Sequence, residues 1–214
     1  MAGEQQTTGS QGVGGWLAEL ASSAPTPGGG GAAAVSAAMA AALVEMVCRL
    51  TIGKPAWERH EPELTQIRDT ARDLRLAALA HADADATAFG SLLAAYRLGT
   101  DTEQQKTARA AVIQQATLRA ATVPLEIAAT AAEVARLAAR LPGRSNPSVL
   151  SDVAVAAVCA ATAVESAAVN VEINLASLHD HATKVAMTGL LDRHLADAGK
   201  ARQLVTDLRR EIAR

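Results

Sequence analysis

Along most of this chain apolar residues recur every three or four positions, the spacing that gives a helix one buried face. The pattern runs from Leu64 through Ile67, Leu74 and Phe89 to Tyr96 without a break. Trp16, Leu17 and Leu20 mark a short amphipathic helix that ends near Ser22-Ser23. Pro25-Thr26-Pro27-Gly28-Gly29-Gly30-Gly31 cannot be helix interior, since proline lacks a donor and glycine loses too much backbone entropy. A helix then runs from about Gly30 to Ile52 and is closed by Gly53 and Pro55. The next begins near Pro62 and carries the long run to Tyr96. After a turn and cap within Gly99–Glu103, a helix from about Thr102, disturbed at Pro124, ends near Leu141-Pro142-Gly143. A loop over Arg144–Pro147 leads into a helix over Ser148–Leu178, and the terminal helix covers His181–Arg214 in one or two pieces. Neither a convincing strand nor an internal repeat interrupts this reading. Long helices on short loops predict an all-α, up-and-down bundle. Residues 1–12 read as a disordered lead and residues 13–214 as one helical domain.

Composition sharpens the picture. Half of the 214 residues are apolar, enough for a sizeable core, but alanine dominates and the aromatic residues are Trp16, Trp57, Phe89 and Tyr96 alone. Alanine is the strongest helix former, whereas strands draw on the β-branched and aromatic residues that are scarce here. A core built on alanine fills only where helix axes approach closely. Such narrow faces bury little area within one subunit, so a symmetric homodimer is expected to complete the core. The net charge of −2, from 20 basic and 22 acidic residues, lacks the basic excess of a nucleic-acid binder. Cys48 and Cys159 fall in apolar runs and read as buried free thiols in a reducing, cytoplasmic compartment. The N-terminus has no charged-then-apolar signal layout. Gly29–Val44 resembles a membrane span, but it is mostly alanine and glycine with Glu45 and Arg49 close behind. A span needs about 20 strongly apolar residues, so none is expected.

Three groups of residues carry candidate chemistry. In the Pro-Thr-Pro-Gly run, prolines fix the approach while Pro27, Gly28, Gly29, Gly30 and Gly31 leave room for a ligand or backbone to come close. The helix that follows offers unpaired N–H groups to a carboxylate or polarised carbonyl, although a plain interhelical turn would look the same. It is not a phosphate-binding P-loop, because the spacing and the Lys-Ser/Thr pair are missing. In His81-Ala-Asp83-Ala-Asp85, His81 and Asp85 share a helix face and Asp83 points away. Ala88, Phe89, Leu92 and Tyr96 lie near the face of Asp85, and a carboxylate beside an apolar wall can gain the pKa of an acid or base. Ser151 and Asp152 lie just inside a helix, where Asp152 also suits the dipole. Asn170 and Asn174, four apart in an apolar segment, need partners for their amides, either another helix or a heterocyclic ligand. His179 and His181 face different ways, and no metal site is expected.

These pieces, in this order, resemble the cyclodeaminase/cyclohydrolase family. It includes the cyclodeaminase half of formiminotransferase-cyclodeaminase and the stand-alone methenyltetrahydrofolate cyclohydrolases. The match begins at Leu17-Ala-Glu-Leu-Ala-Ser-Ser-Ala-Pro-Thr-Pro-Gly-Gly-Gly-Gly31 and continues through Leu43-Val-Glu-Met-Val-Cys-Arg-Leu-Thr-Ile-Gly-Lys54 and Asp85 with Phe89. Val123-Pro-Leu125, Ser151-Asp152 and Ala167-Ala-Val-Asn-Val-Glu-Ile-Asn174 follow. The resemblance implies an all-helical homodimer with a folate groove and no metal or nucleotide cofactor. One departure is that Pro55-Ala56-Trp57 follows Lys54, where the family carries more lysines and a tyrosine. The implied reaction is hydrolysis of 5,10-methenyltetrahydrofolate to 10-formyltetrahydrofolate, with Asp85 moving protons and Lys54 stabilising charge or orienting substrate. The Gly28–Gly31 backbone, Asn170 and Asn174 would hold the substrate. Cyclodeamination of 5-formimidoyltetrahydrofolate and a non-catalytic folate-binding or assembly role are the alternatives.

Overall fold

Alanine sets how closely the helices pack. In a computed structural model that describes residues 7–213, the chain forms six α-helices and no strand among those residues. They are α1 (Val13–Leu20), α2 (Gly29–Arg49), α3 (Glu61–Tyr96), α4 (Glu103–Ala139), α5 (Leu150–Ser177) and α6 (His181–Ile212). Buried alanines recur along α2, α4 and α5, from Ala33 and Ala37 to Ala128, Ala131, Ala157 and Ala160. Leu64, Ile67, Val44, Ile127 and Val164 fill the wider gaps. No side chain in this core is aromatic apart from Trp16, which closes the turn before α2.

Cross-helix contacts fix the topology. Gly29 meets Asn170, and the Asn146 N–H donates to Thr51 Oγ1 at 3.1 Å, so α2 and α5 run antiparallel. Glu63 with Arg140 and His81 with Glu126 set α3 against α4. Gln114 donates to Ser177 O, and Asn174 to Ala120 O, joining α4 to α5. The four helices thus form an up-and-down ring, and α6 lies over α4 and α5 through the Arg136–Asp197 and Arg202–Glu165 pairs. Inside the ring, buried Glu45 of α2 takes Arg49 at 2.7 Å and Arg75 of α3 at 3.1 Å. Burial pushes its carboxyl up, but the two guanidinium groups outweigh that and hold it below its usual range.

The all-α bundle is as the periodicity predicts, and most boundaries agree within a few residues. Four details refine or change that reading. First, α2 ends at Arg49, before Ile52, because buried Thr51 turns its hydroxyl back to Val47 O. Second, α4 passes through Pro124 unbroken. Third, α6 is one helix, begun by Asp180, whose carboxylate accepts the Ala182 and Thr183 N–H groups. The fourth concerns the expected lead over 1–12. Residues 1–6 lie outside the described residues, but 7–12 form a turn fixed to α3. Thr8 donates its N–H and its hydroxyl to Asp83 Oδ1 at 2.9 and 2.6 Å, a contact the polar composition of the segment did not announce. Gly53 and Gly143 turn the chain with φ of 80° and 70°, conformations that favour glycine.

Candidate active site

Helix α2 starts without the usual help. Its N-cap is Gly28, which has no side chain to accept the first N–H groups. The neighbouring acceptor comes from α3 instead: the Asp85 carboxylate lies over the first turn of α2, near enough for the Gly31 N–H to favour its charged form. It can do so because position 30 is glycine. A Cβ there would overlap the carboxylate, while one at Gly29 would make ordinary contact with the Asn170 amide at 3.5 Å. Gly31 packs against Pro27 and Trp16, which seat the turn from the other side. Burial raises the Asp85 pKa above its usual range, and the Gly31 N–H pulls it only part of the way back.

Asp85 faces a cleft of about 270 Å³ between the Pro25–Gly30 turn, α3, α4 and the C-terminal part of α5. Phe89 and Ile173 form apolar parts of its wall, and Asn170 and Asn174 lie across from Asp85. The two asparagines answer the question their spacing raised, because they serve helix and cleft together. Asn170 Nδ2 donates to Ser166 O, and Asn174 Nδ2 donates to Asn170 O at 2.7 Å and Ala120 O at 3.0 Å. Those partners are carbonyls, which only accept, so the amide orientations follow. Both Oδ1 atoms are then left without a hydrogen bond among the described residues.

Pro124 explains why Ala120 O is available. In an unbroken helix that carbonyl would accept the N–H of residue 124, and proline has none. Asn174 supplies the missing donor from α5. A helix-breaking residue thus becomes a crosslink, and its consequence is an amide oxygen at the cleft. The lining is therefore rich in acceptors, with one carboxylate and two amide oxygens and no basic side chain. It suits a ligand that carries positive charge or several N–H donors.

The structure brings Pro27, Gly28, Gly29, Gly30, Gly31, Asp85, Asn170 and Asn174 to one end of the bundle. It does not bring Lys54, Ser151 and Asp152 there. Lys54 follows the far end of α2, about 31 Å along the helix by its 21 residues. Ser151 and Asp152 open α5 beside it, near Asn146 and Thr51. Within one chain these three cannot touch what Asp85 touches, and a linear sequence gives no warning of that. Asp83 points away from the cleft, as the helix spacing requires, and borders a second, larger cavity of about 440 Å³ with Thr8, Trp16 and Glu19. Sequence reasoning missed Ala120, exposed as an acceptor only through Pro124. His81 stands 3.9 Å from Glu126, and burial lowers its pKa despite that carboxylate. Among the described residues no three His, Cys, Asp or Glu side chains gather as metal ligands.

The helical fold that carries this site is shared with a known family. The profile for formiminotransferase-cyclodeaminase matches residues 12–192, and the chain belongs to that family. It is 41% identical over 191 residues to the methenyltetrahydrofolate cyclohydrolase of Methylorubrum extorquens, covering 89% of this chain and 92% of the relative. It is 32% identical to the formimidoyltransferase-cyclodeaminase of Sus scrofa over 96% of this chain, which spans only 38% of that longer protein. Among solved structures, formiminotetrahydrofolate cyclodeaminase from Thermotoga maritima superposes with a TM-score of 0.86 at 28% identity, covering 95% and 98% of the two chains.

Proposed function

We propose that this protein is a methenyltetrahydrofolate cyclohydrolase, with Asp85 as the group that moves protons. The observation that carries the reading is the half-buried Asp85 carboxylate, held at the start of α2 with a raised pKa in an acceptor-lined cleft. The 5,10-methenyl carbon lies between two nitrogens and carries delocalised positive charge. Carboxylate and amide oxygens favour that charge over neutral competitors. Water attacks the carbon, and Asp85 takes a proton from it. The C–N5 bond of the resulting adduct then breaks as N5 receives a proton, which Asp85 is placed to return. Water brings two protons. One remains on N5 and the other leaves to solvent, so the cationic substrate gives neutral 10-formyl product and one H⁺. A carboxyl with its pKa moved toward neutrality suits both directions of transfer.

The likeness to the Thermotoga maritima cyclodeaminase supports a second reading, loss of ammonia from 5-formimidoyltetrahydrofolate at the same carbon. Mixing the purified protein with each folate separates them. Formation or loss of the methenyl chromophore with no ammonia release identifies the cyclohydrolase, ammonia release identifies the cyclodeaminase, and neither signal indicates a non-catalytic folate-binding role.

The proposed working form is a cytoplasmic homodimer without metal or nucleotide cofactor and without nucleic-acid or membrane partners. Both cysteines are free, which supports a reducing compartment. Burial raises both thiols, that of core Cys48 to about 12 and that of half-buried Cys159 less far. Two helices are long and apolar enough to cross a membrane by length and composition, Gly29–Arg49 and also Pro147–Ser177. Their most apolar windows are 61% and 44% buried in the bundle. What remains uncovered on them supports pairing with a second subunit.

A further inference from the structure

Behind the turn that leads into α2 lies the second cavity, which at about 440 Å³ is larger than the cleft of Asp85. Its space comes from small residues. On α3 the positions that face it are Ala82, Asp83, Ala86 and Thr87, a strip two residues wide and one turn long. Leucine or isoleucine there, as at Leu64 and Ile67 earlier on the same helix, would fill much of the volume. The facing wall is fixed by separate contacts. Trp16, the one buried residue of α1, anchors that helix beside Pro27 and Gly31. Thr8 ties the entering chain to Asp83, and Gly9 lies against Leu79.

The polar groups of the lining divide into spent and unspent. Thr87 gives its hydroxyl to Asp83 O at 2.9 Å, and Thr7 pairs its own with that of Ser10 at 3.1 Å. Thr8 places both of its donors on Asp83 Oδ1. Among the described residues, Asp83 Oδ2, the Glu19 carboxylate, the Gln11 amide and the Thr26 hydroxyl then have no hydrogen-bond partner. Two carboxylates thus border one cavity, and no lysine or arginine lines it to balance them.

That lining narrows the chemistry of an occupant. Anions are repelled by both carboxylates. A divalent metal needs more ligands than two carboxylates, and no third His, Cys, Asp or Glu joins them among the described residues. The volume lies in the range of small-molecule sites. Trp16, Pro27, Ala82 and Ala86 make part of the wall apolar, and an indole is the best aromatic partner for a cation. We propose that this cavity is a second ligand site, selective for a small organic cation: a primary ammonium on a short apolar or aromatic body. The carboxylates of Asp83 and Glu19 attract the ammonium, whose three N–H donors match the unspent acceptors. Its body lies against Trp16 and the two alanines. The site requires nothing of the folate reading, because of these groups only Thr26 also borders the Asp85 cleft.

The two tryptophans make the test local. Trp16 lines the cavity, whereas Trp57 lies past the far end of α2, in the short helical segment Pro55–His60. In a proton–nitrogen correlation spectrum each gives one indole N–H peak, assigned with Trp57→Phe. The probe is benzylammonium, titrated into the full-length protein with no folate present. Low ionic strength is used, since Glu19 is exposed and salt screens it. The Trp16 peak should shift saturably, with a Kd on the order of millimolar for a ligand of this size, while the Trp57 peak stays in place.

Two variants and one neutral compound test the chemistry of the site. Asp83→Asn keeps an acceptor for Thr8, and Glu19→Gln alters an exposed side chain, so both should fold as wild type does. Each should weaken benzylammonium binding about tenfold, the worth of one charge-assisted hydrogen bond. Benzyl alcohol has a similar body without the charge and should bind weaker by at least about the same factor. A Trp16 peak that does not move overturns the proposal. So does an alcohol that binds as well as the amine, or binding that survives removal of both carboxylates in one chain. Turnover of methenyl folate plays no part in these outcomes, so the site and the functional reading stand or fall separately.

Discussion

Gly30→Ala adds one methyl group at the point where the Asp85 carboxylate crosses α2. The added Cβ would overlap both carboxylate oxygens. What it meets is the tip of a side chain rather than backbone, so Asp85 can rotate away and the fold should tolerate the change. Alanine is also the better helix former, worth at most about 1 kcal/mol over glycine in a helix interior and less in the first turn. The melting temperature is therefore expected to hold or rise slightly. Activity should not hold. Relief of the overlap moves the carboxylate by roughly 1 Å, and a displacement of that size can cost about 10²-fold in rate. The upper bound is loss of the whole acid–base contribution, about 10²–10⁴-fold. The assay is kcat from decay of the methenyl chromophore, with thermal melts on the same samples. Gly29→Ala is the control, since its Cβ would make only ordinary contact with Asn170, and it should keep kcat within about threefold. A Gly30→Ala protein with wild-type kcat, or a Gly29→Ala protein equally impaired, would refute the reasoning.

Asp85→Asn keeps an acceptor near the Gly31 N–H but removes the base, so kcat should fall about 10²–10⁴-fold without loss of stability. Asp83→Asn, outside the cleft, should leave kcat unchanged. Wild-type kcat should decline on the acid side through a pKa above the usual carboxylate range, because burial raises Asp85, and a profile with its limb at an ordinary aspartate pKa would contradict this. A raised carboxyl pKa stabilises the fold below the unfolded pKa and loses that stabilisation as pH rises through the folded one. Asp85→Asn is thus expected to melt above wild type at neutral pH, with the gap closing on acidification, which calorimetry across pH can check. Glu45 behaves oppositely: its lowered pKa stabilises the fold above the unfolded value and is lost as pH falls through the folded one. Glu45→Gln should cost about 1 kcal/mol near neutrality, or ~2–4 °C at this chain length, and an unchanged melt would show the pair to be neutral. Asn174→Ala should cost about 1–3 kcal/mol by stranding the Ala120 carbonyl. Less should be lost in a Pro124→Ala background, where a backbone N–H returns, and a double-mutant cycle with no coupling would reject that link.

Fold class was legible because periodicity and alanine content agree at every level, leaving a helical bundle as the sole way to bury these faces. Asp85 was legible for a similar reason, since four-residue spacing is enough to rank Asp85 above Asp83 on the inner face. Lys54, Ser151 and Asp152 were legible as motif residues but not as neighbours. Their distance from Asp85 follows from the length of α2, which no local motif encodes. The order of residues 7–12 escaped for a different reason. It depends on Thr8 meeting Asp83, 75 positions away, and a polar segment held by one carboxylate has the same composition as a free one.

Two places where local propensity is violated lie at the same cleft. Glycine at the start of α2 gives up helix stability and a side-chain cap, and Asp85 occupies the space that results. Proline within α4 gives up a backbone donor, and Asn174 occupies the acceptor that results. In each case a neighbouring helix repairs the defect with a polar side chain, and the repair fixes that side chain's position and orientation. An aspartate or asparagine free to rotate on a smooth alanine helix would have several rotamers of similar energy. Here the carboxylate is seated in the space over Gly30, and the Asn174 amide is held by the Ala120 and Asn170 carbonyls. Departures from helix propensity therefore supply the preorganisation that an acceptor-lined site needs. They also explain how helices built on alanine, almost without polar atoms of their own, hold Asp85, Asn170 and Asn174 at a single cleft.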